Sequence, residues 1–193
     1  RMDAIIPAAG RGSRLGELTD DRPKGLVDVA GRPLLAHVFE TAVEAGADEL
    51  VVIVRYEAAQ IVDRFGDVFE GIPITYLHQR ERLGLGHAVL RAEPHVDGTF
   101  LLVNGDNVFA GSVSPAVAAV GEADAVLGVE AVSPEVAATT GVIETDEAGR
   151  VTGIVEKPDD PPSTLITTGC YVLPQDVFHA CVLLRPSPKA STN

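Results

Sequence analysis

The chain has 193 residues, of which 46% are hydrophobic and 22% charged, enough for one folded domain with a full core. Its 28 acidic against 15 basic residues give a net charge of −13, which argues against nucleic acid as a partner. No apolar run approaches the ~18 residues of a membrane span and no signal-peptide pattern opens the chain, so the sequence predicts a cytoplasmic protein without a membrane partner.

The charged residues are unevenly distributed along the chain. Residues 1–32 are close to neutral, whereas the remainder is strongly acidic, and arginine greatly outnumbers lysine. We interpret this composition as adaptation to high salt and expect a halophilic protein. The two cysteines, Cys170 and Cys181, lack the CxxC spacing and are predicted to be buried or partly buried thiols.

Hydrophobic periodicity predicts strands that alternate with helices over the first two thirds of the chain and crowd together after residue 123. The predicted strands cover residues 3–8, 50–55, 73–78, 99–104, 124–132, 141–145, 150–156 and 167–173. The predicted helices cover residues 33–46, 57–66, 84–93, 114–121 and 175–184, two of them ending at Gly46 and Gly66. This order predicts an α/β fold, a doubly wound Rossmann-like and mostly parallel sheet with a β-rich C-terminal part.

The first predicted strand leads into a glycine-rich loop, Ala8-Ala9-Gly10-Arg11-Gly12-Ser13-Arg14. Glycine lets backbone N–H groups approach a polyphosphate closely, Arg14 offers a planar fork for phosphate oxygens, and Lys24 adds a mobile positive charge. An ordinary turn is the simpler alternative. The loop contains no P-loop string, and Leu15 occupies the third glycine position of a dinucleotide fingerprint.

A second candidate segment follows the strand at 73–78, where Gln79 precedes Gly84 and the next predicted helix. Glutamine presents a donor and an acceptor together, which suits the edge of a pyrimidine ring. A surface glutamine before a helix is the simpler alternative. His87, within that helix, is interpreted as a structural residue rather than a catalyst.

The strand at 99–104 is followed by Gly105, Asp106 and Asn107. A carboxylate at the carboxyl end of a buried strand is a candidate Mg²⁺ ligand, because Mg²⁺ in phosphate chemistry takes one or two carboxylates together with phosphates and water. A tight turn is the simpler alternative, since this composition suits one. We favour the metal site.

Together these segments resemble the sugar-1-phosphate nucleotidyltransferases, in particular glucose-1-phosphate thymidylyltransferases and UTP-glucose-1-phosphate uridylyltransferases. The matching segments are Ala9–Leu15, Pro23-Lys24, Gly31–Leu34, Gln79 with Gly84–Ala88, Gly105–Asn107, Thr140–Ile143, Val155–Pro158 and Thr167–Tyr171. The resemblance implies a nucleotide-diphospho-sugar transferase-like fold in one domain, residues 1–184. Within it, residues 1–122 would form the nucleotide-binding half and residues 123–184 the sugar-phosphate-binding half. Residues 185–193 are expected to be a disordered or non-native tail, of which residues 188–193 do not resemble the family.

The resemblance also implies a reaction and a set of roles. UMP or dTMP would pass from UTP or dTTP to a hexose 1-phosphate, with glucose 1-phosphate favoured, releasing pyrophosphate; the state of assembly, including a homo-oligomer, is open. The implied catalytic residues are Arg14, Lys24 and Asp106, with Asp106 as the Mg²⁺ ligand. The implied nucleotide-binding residues are Ala8, Ala9, Gly10, Arg11, Gly12, Ser13, Gln79 and Gly84, and those for the sugar phosphate are Asn107, Gly141, Glu156, Lys157 and Thr168.

The predicted sugar-phosphate-binding half raises a geometric question, since neighbouring side chains on a regular strand point to opposite faces. Glu156 and Lys157 can share a ligand only where the strand ends or twists, and Pro158 predicts such an end. The chain differs from the family at Thr140, where an aromatic residue is usual. A counterpart of the family's second magnesium-binding aspartate is not recognisable. We therefore expect a C-terminally truncated or altered sequence, a partner that supplies the carboxylate, or a protein that binds without turnover.

Two alternatives from other classes follow from these features. The missing aspartate favours a catalytically inactive domain that binds a nucleotide or sugar nucleotide. The glycine loop alone suggests a nicotinamide-dependent oxidoreductase, against which the leucine in the third glycine position argues.

Overall fold

The computed structural model describes residues 1–10, 22–80 and 84–183. The predicted site residues Arg11, Gly12, Ser13 and Arg14, and the tail at 185–193, lie outside the described residues. The chain divides into two compact units. One comprises Arg1–Val126 and the described residues from Tyr171 onward, and the other comprises Leu127–Cys170.

Eleven strands and six α-helices are described. In chain order they are β1 (Asp3–Pro7), β2 (Asp28–Val29), β3 (Arg32–Pro33), α1 (Leu34–Glu44), β4 (Glu49–Val54), α2 (Ala58–Phe65), β5 (Val68–Phe69), β6 (Ile72–His78), α3 (Leu85–Leu90), β7 (Phe100–Val103), α4 (Ser114–Ala119), β8 (Val126–Ala131), α5 (Pro134–Ala137), β9 (Gly141–Thr145), β10 (Val151–Glu156), β11 (Leu165–Leu173) and α6 (Val177–Leu183). Short 3₁₀ helices cover Lys24–Leu26, Glu93–His95 and Val120–Glu122.

The first unit is built on parallel strands. Strand β1 lies between β7 and β4 and is parallel to both, β4 is parallel to β6, and the short β5 is antiparallel to β6. The central strands β1 and β4 are apolar after a first acidic residue, with Ala4–Ile6 and Leu50–Val54 fully buried, because helices cover both faces of such a sheet. Parallel pairing brings the carboxyl ends of β1, β4, β6 and β7 to one edge, where ligands bind in sheets of this type.

Helix packing completes this core. The ring of Phe39 on α1 meets Phe65 and Phe69 edge-to-face, with centroids 4.9 and 5.4 Å apart. Phe178 on α6 stacks on Phe100 of β7 at 5.1 Å, so the last described helix belongs to the core of the first unit. No described helix is both long and apolar enough to cross a membrane.

The second unit consists mainly of antiparallel strands. Strand β9 is antiparallel to both β10 and β11, and β8 pairs with β11. The register of β10 against β9 shifts between Val151 and Gly153, which marks a bulge. The second unit therefore forms the β-rich part that was expected after residue 123.

The predicted fold class is confirmed, and each predicted strand and helix has a counterpart. Helices α1 and α2 end as expected, since Gly46 and Gly66 have φ of 90° and 66°, a region that favours glycine. Strands β2, β3 and β5 and helix α5 were not predicted, because elements of two to four residues are too short for a periodic signal.

The predicted state of the cysteines is also confirmed. Cys170 is buried and Cys181 half-buried, and neither forms a disulfide. Burial raises the pKa of the Cys170 thiol to about 11, so this group remains a protonated thiol at neutral pH.

Candidate functional site

An open cavity of about 320 Å³ lies at the carboxyl edge of the parallel strands in the first unit. Its walls come from the segments that follow β1, β6 and β7, from the 3₁₀ helix Lys24–Leu26, and from the start of α3. The lining residues that had been predicted from the sequence are Ala8, Ala9, Gly10, Lys24, Gln79, Gly84 and Asp106. The structure thus brings together candidates that are as far apart in the chain as Ala8–Gly10 and the aspartate after β7.

The cavity contains a cation and a carboxylate in contact. The Nζ atom of Lys24 donates to Oδ2 of Asp106 at 2.7 Å, and the two side chains are 28% and 48% exposed. The two residues are 82 positions apart in the sequence, and the parallel pairing of β1 with β7 brings their segments together. The wall therefore presents a positive and a negative group side by side. The amine suits a phosphate, and the carboxylate suits a metal ion bound to that phosphate.

Asp106 fits a magnesium ion that is shared with a phosphate ligand. Its carboxylate lines the cavity and remains partly exposed. Within residues 1–10, 22–80 and 84–183, no group of three or more His, Cys, Asp or Glu side chains could hold a metal ion. A site with one carboxylate suits Mg²⁺ that takes its other ligands from phosphates and water, and does not suit a metal held by protein alone.

Gly105 joins two walls of the cavity and was not among the predicted site residues. Its backbone N–H donates to the carbonyl oxygen of Pro7 at 3.0 Å. A Cβ atom at this position would lie 2.7 Å from that oxygen and 3.1 Å from Cα of Ala8, so glycine is needed for the loops after β1 and β7 to touch. The sequence analysis favoured a metal site for the segment that contains Gly105, with a turn as the alternative, and neither interpretation gave this glycine a role.

Gln79 is buried, with an exposed fraction of 5%, so the alternative of a surface glutamine is wrong. Its backbone N–H donates to the carbonyl of Val54 at 2.9 Å and continues the pairing of β6 with β4. Its side-chain nitrogen lies 3.5 Å from the carbonyl oxygen of Gly84 and 3.4 Å from Nδ1 of His87. Gly84 has φ 94° and ψ 176°, a conformation that is essentially restricted to glycine.

The other predicted sugar-phosphate residues divide between the two units. Asn107 is in the first unit, where its backbone N–H donates to the carbonyl of Asn104 at 3.3 Å. Gly141, Glu156, Lys157 and Thr168 are in the second unit.

Within the second unit, Gly141 and Glu156 are direct partners across β9 and β10. A Cβ atom at Gly141 would lie 3.2 Å from Oε2 of Glu156, so glycine leaves room for this carboxylate. Thr168 lies on β11 and packs against Gly128. A Cβ atom at Gly128 would lie only 2.6 Å from the hydroxyl oxygen of Thr168, so glycine leaves room for this hydroxyl.

The geometric question at Glu156 and Lys157 is answered by the backbone. Strand β10 ends at Glu156, and Lys157 has φ 47°, in the left-handed region. The N–H of Lys157 nevertheless donates to the carbonyl of Thr140 at 2.9 Å. The expected end of the strand before Pro158 is thus confirmed, and the strict alternation of side chains stops there.

Known proteins resemble this chain along nearly its whole length. The profile of the family described as nucleotidyl transferase matches residues 3–193. The UTP–glucose-1-phosphate uridylyltransferase AglF of Haloferax volcanii is 45% identical over 188 residues, which cover 96% of this chain and 77% of the relative. The expected halophilic character fits this relative from Haloferax.

Solved structures show the same fold. A Bacillus anthracis protein assigned as a glucose-1-phosphate thymidylyltransferase is similar over 100% of this chain and 79% of its own, with a TM-score of 0.88 and 26% identity. A UDP-glucose pyrophosphorylase from Acinetobacter baumanii is similar over 92% of this chain and 76% of its own, with a TM-score of 0.84 and 27% identity. These matches confirm the resemblance that was stated from the sequence motifs. The chain belongs to the nucleotidyl transferase family.

Proposed function

We propose that this protein transfers a uridylyl group from UTP to glucose 1-phosphate and releases pyrophosphate, with dTTP as the alternative donor. The observation that carries the proposal is a single cavity whose wall holds both the Lys24–Asp106 pair and the buried amide of Gln79. Lys24 and Asp106 suit a triphosphate with its metal ion, and the amide of Gln79 suits the edge of a pyrimidine ring. The 45% identity to a UTP–glucose-1-phosphate uridylyltransferase supports the same donor and acceptor.

The reaction requires no covalent intermediate with the protein. An oxygen of the sugar phosphate attacks the α-phosphorus of the triphosphate, a new P–O bond forms, and the bond to the β-phosphate breaks as pyrophosphate leaves. Catalysis then consists of positioning and charge stabilisation. The backbone N–H groups of Ala9 and Gly10 and the amine of Lys24, all in the lining of the cavity, are proposed to bind the phosphates.

Magnesium, when bound, would be held by Asp106 and would neutralise charge on the reacting phosphates. Lys157, in the second unit, is proposed to bind the phosphate of the sugar, and Glu156 and Gly141 its hydroxyl groups. Gln79 and Gly84 are proposed to read the base. Arg14 is proposed to hold the leaving β- and γ-phosphates.

The proposal is tested by pyrophosphate release with UTP, dTTP, ATP, CTP or GTP, each with glucose 1-phosphate and Mg²⁺, at low and at molar salt. We expect release with a pyrimidine nucleotide that carries a ring N–H, and more of it at molar salt. Nucleotide binding without release would favour a binding domain over an enzyme. Binding of NAD(H) with no response to any triphosphate would overturn the proposal.

Two substitutions of Lys157 test its proposed role in binding separately from the strain in its backbone. A non-glycine residue with φ 47° costs roughly 1 kcal/mol, and the following proline restricts this position further. We expect Lys157→Gly to raise the free energy of unfolding by about 1 kcal/mol relative to Lys157→Ala, because only glycine relieves the strain.

Both variants lack the amine, so both should show the same large increase in KM for glucose 1-phosphate. Urea unfolding followed by circular dichroism gives the stability difference, and initial rates give KM. Equal stabilities of the two variants would contradict the strain argument, while an unchanged KM would remove Lys157 from the proposed site.

A further inference from the structure

The amide of Gln79 is held in one orientation by two protein groups. Its nitrogen is the atom that faces them, 3.5 Å from the carbonyl oxygen of Gly84 and 3.4 Å from Nδ1 of His87. A backbone carbonyl can only accept a hydrogen bond, so Gly84 requires the NH₂ end of the amide on this side. Nδ1 of His87 then acts as a second acceptor, which places the ring proton of the neutral imidazole on Nε2.

This orientation determines which end of the amide is available to a ligand. Gln79 is 5% exposed and lines the cavity, and its nitrogen is directed at Gly84 and His87. The carbonyl Oε1 is the end that remains for the cavity, where it can accept a hydrogen bond but cannot donate one. An acceptor at this point matches the N3–H group of uracil or thymine, whereas N3 of cytosine is itself an acceptor and would be repelled.

We propose that His87 is a positioning residue that holds the Gln79 amide with its oxygen toward the base and so selects uracil or thymine over cytosine. The proposal rests on the proposed function for the identity of the ligand. His87 does not line the cavity. It acts through Gln79, because the contacts of the amide nitrogen with Gly84 at 3.5 Å and with His87 at 3.4 Å are each long, and both are needed to hold the amide in one orientation.

Two substitutions distinguish positioning from packing. In His87→Asn the side-chain oxygen can take the place of Nδ1 as acceptor, whereas His87→Leu has comparable bulk and no acceptor. We expect His87→Leu to reduce the preference for UTP over CTP by about tenfold, the scale of one hydrogen bond in its correct orientation, and His87→Asn to stay near the wild type. The preference is measured as the ratio of dissociation constants by calorimetry and as the ratio of kcat/KM where both nucleotides turn over.

These readouts separate the inference from the function on which it rests. A wild type that prefers UTP in binding but releases no pyrophosphate would contradict the proposed reaction and leave the role of His87 supported if His87→Leu loses the preference. An unchanged preference in His87→Leu, with normal turnover, would overturn the role of His87 alone. An equal loss in His87→Asn and His87→Leu would also overturn it, because packing rather than an acceptor would then be responsible.

A measurement on the unmodified protein covers the case in which His87→Leu does not fold. Nitrogen NMR of the His87 ring at mildly alkaline pH should show the proton on Nε2 and an unprotonated Nδ1. A proton on Nδ1 would overturn the proposal, because Nδ1 could not then accept from the amide of Gln79.

Discussion

Asp106→Asn is expected to reduce the rate of pyrophosphate release by a hundredfold or more, the largest effect on activity among these predictions. The substitution keeps the shape of the side chain but removes the charge that would hold Mg²⁺ and that faces Nζ of Lys24 at 2.7 Å. The fold should be retained, since a partly exposed ion pair contributes at most about 1 kcal/mol. Release is measured at saturating UTP and glucose 1-phosphate over a range of Mg²⁺ concentrations.

A second readout is independent of turnover. The concentration of Mg²⁺ needed for half-maximal UTP binding should rise in Asp106→Asn. The matched control is Asp63→Asn, which removes an exposed carboxylate on α2 that does not line the cavity, and it should leave both quantities unchanged. A Mg²⁺ dependence in Asp106→Asn equal to that of the control would mean that this carboxylate is not the metal ligand.

Gly105→Ala is expected to lower the free energy of unfolding by about 1–3 kcal/mol, the range for a methyl group forced into packed structure. Its Cβ would lie 2.7 Å from the carbonyl oxygen of Pro7, which is backbone and cannot rotate away. The loops after β1 and β7 would have to separate, so the binding of UTP should weaken as well. Urea unfolding and calorimetric titration with UTP measure the two effects.

Gly111→Ala is the control for the glycine substitution. Nothing lies within 4 Å of a Cβ atom at Gly111, and its φ lies outside the left-handed region, so its stability should change little or rise slightly. A loss of stability in Gly105→Ala no larger than that in Gly111→Ala would show that the two loops are free to move apart. In that case the contact between them would not shape the cavity.

Short-range patterns in the sequence predicted most of the fold. The apolar runs of β1, β4 and β7 and the helical period of α1 were recognisable because burial acts on each element separately. Gly46 and Gly66 marked helix ends for the same local reason, a backbone conformation that glycine adopts at low cost. The four elements that were missed are each at most four residues long.

The candidate site was predictable in part. Resemblance to the family indicated Lys24, Gln79 and Asp106, all of which line one cavity. Gly105 was missed because its constraint comes from Pro7, almost a hundred residues earlier in the chain. His87 was interpreted as helix structure because nothing local to α3 indicates that its ring faces the Gln79 amide.

The sequence by itself determined the class of each element, the fold class, and the residue types available for phosphate, metal and base. These properties depend on the chemistry of single residues and on periods of two to four positions. Only the tertiary structure decided the 2.7 Å meeting of Lys24 with Asp106, the close approach at Gly105 and the orientation of the Gln79 amide. The physical reason is that parallel strand order brings distant loops to one edge of the sheet, and contacts between them obey steric and hydrogen-bonding limits that no local pattern records.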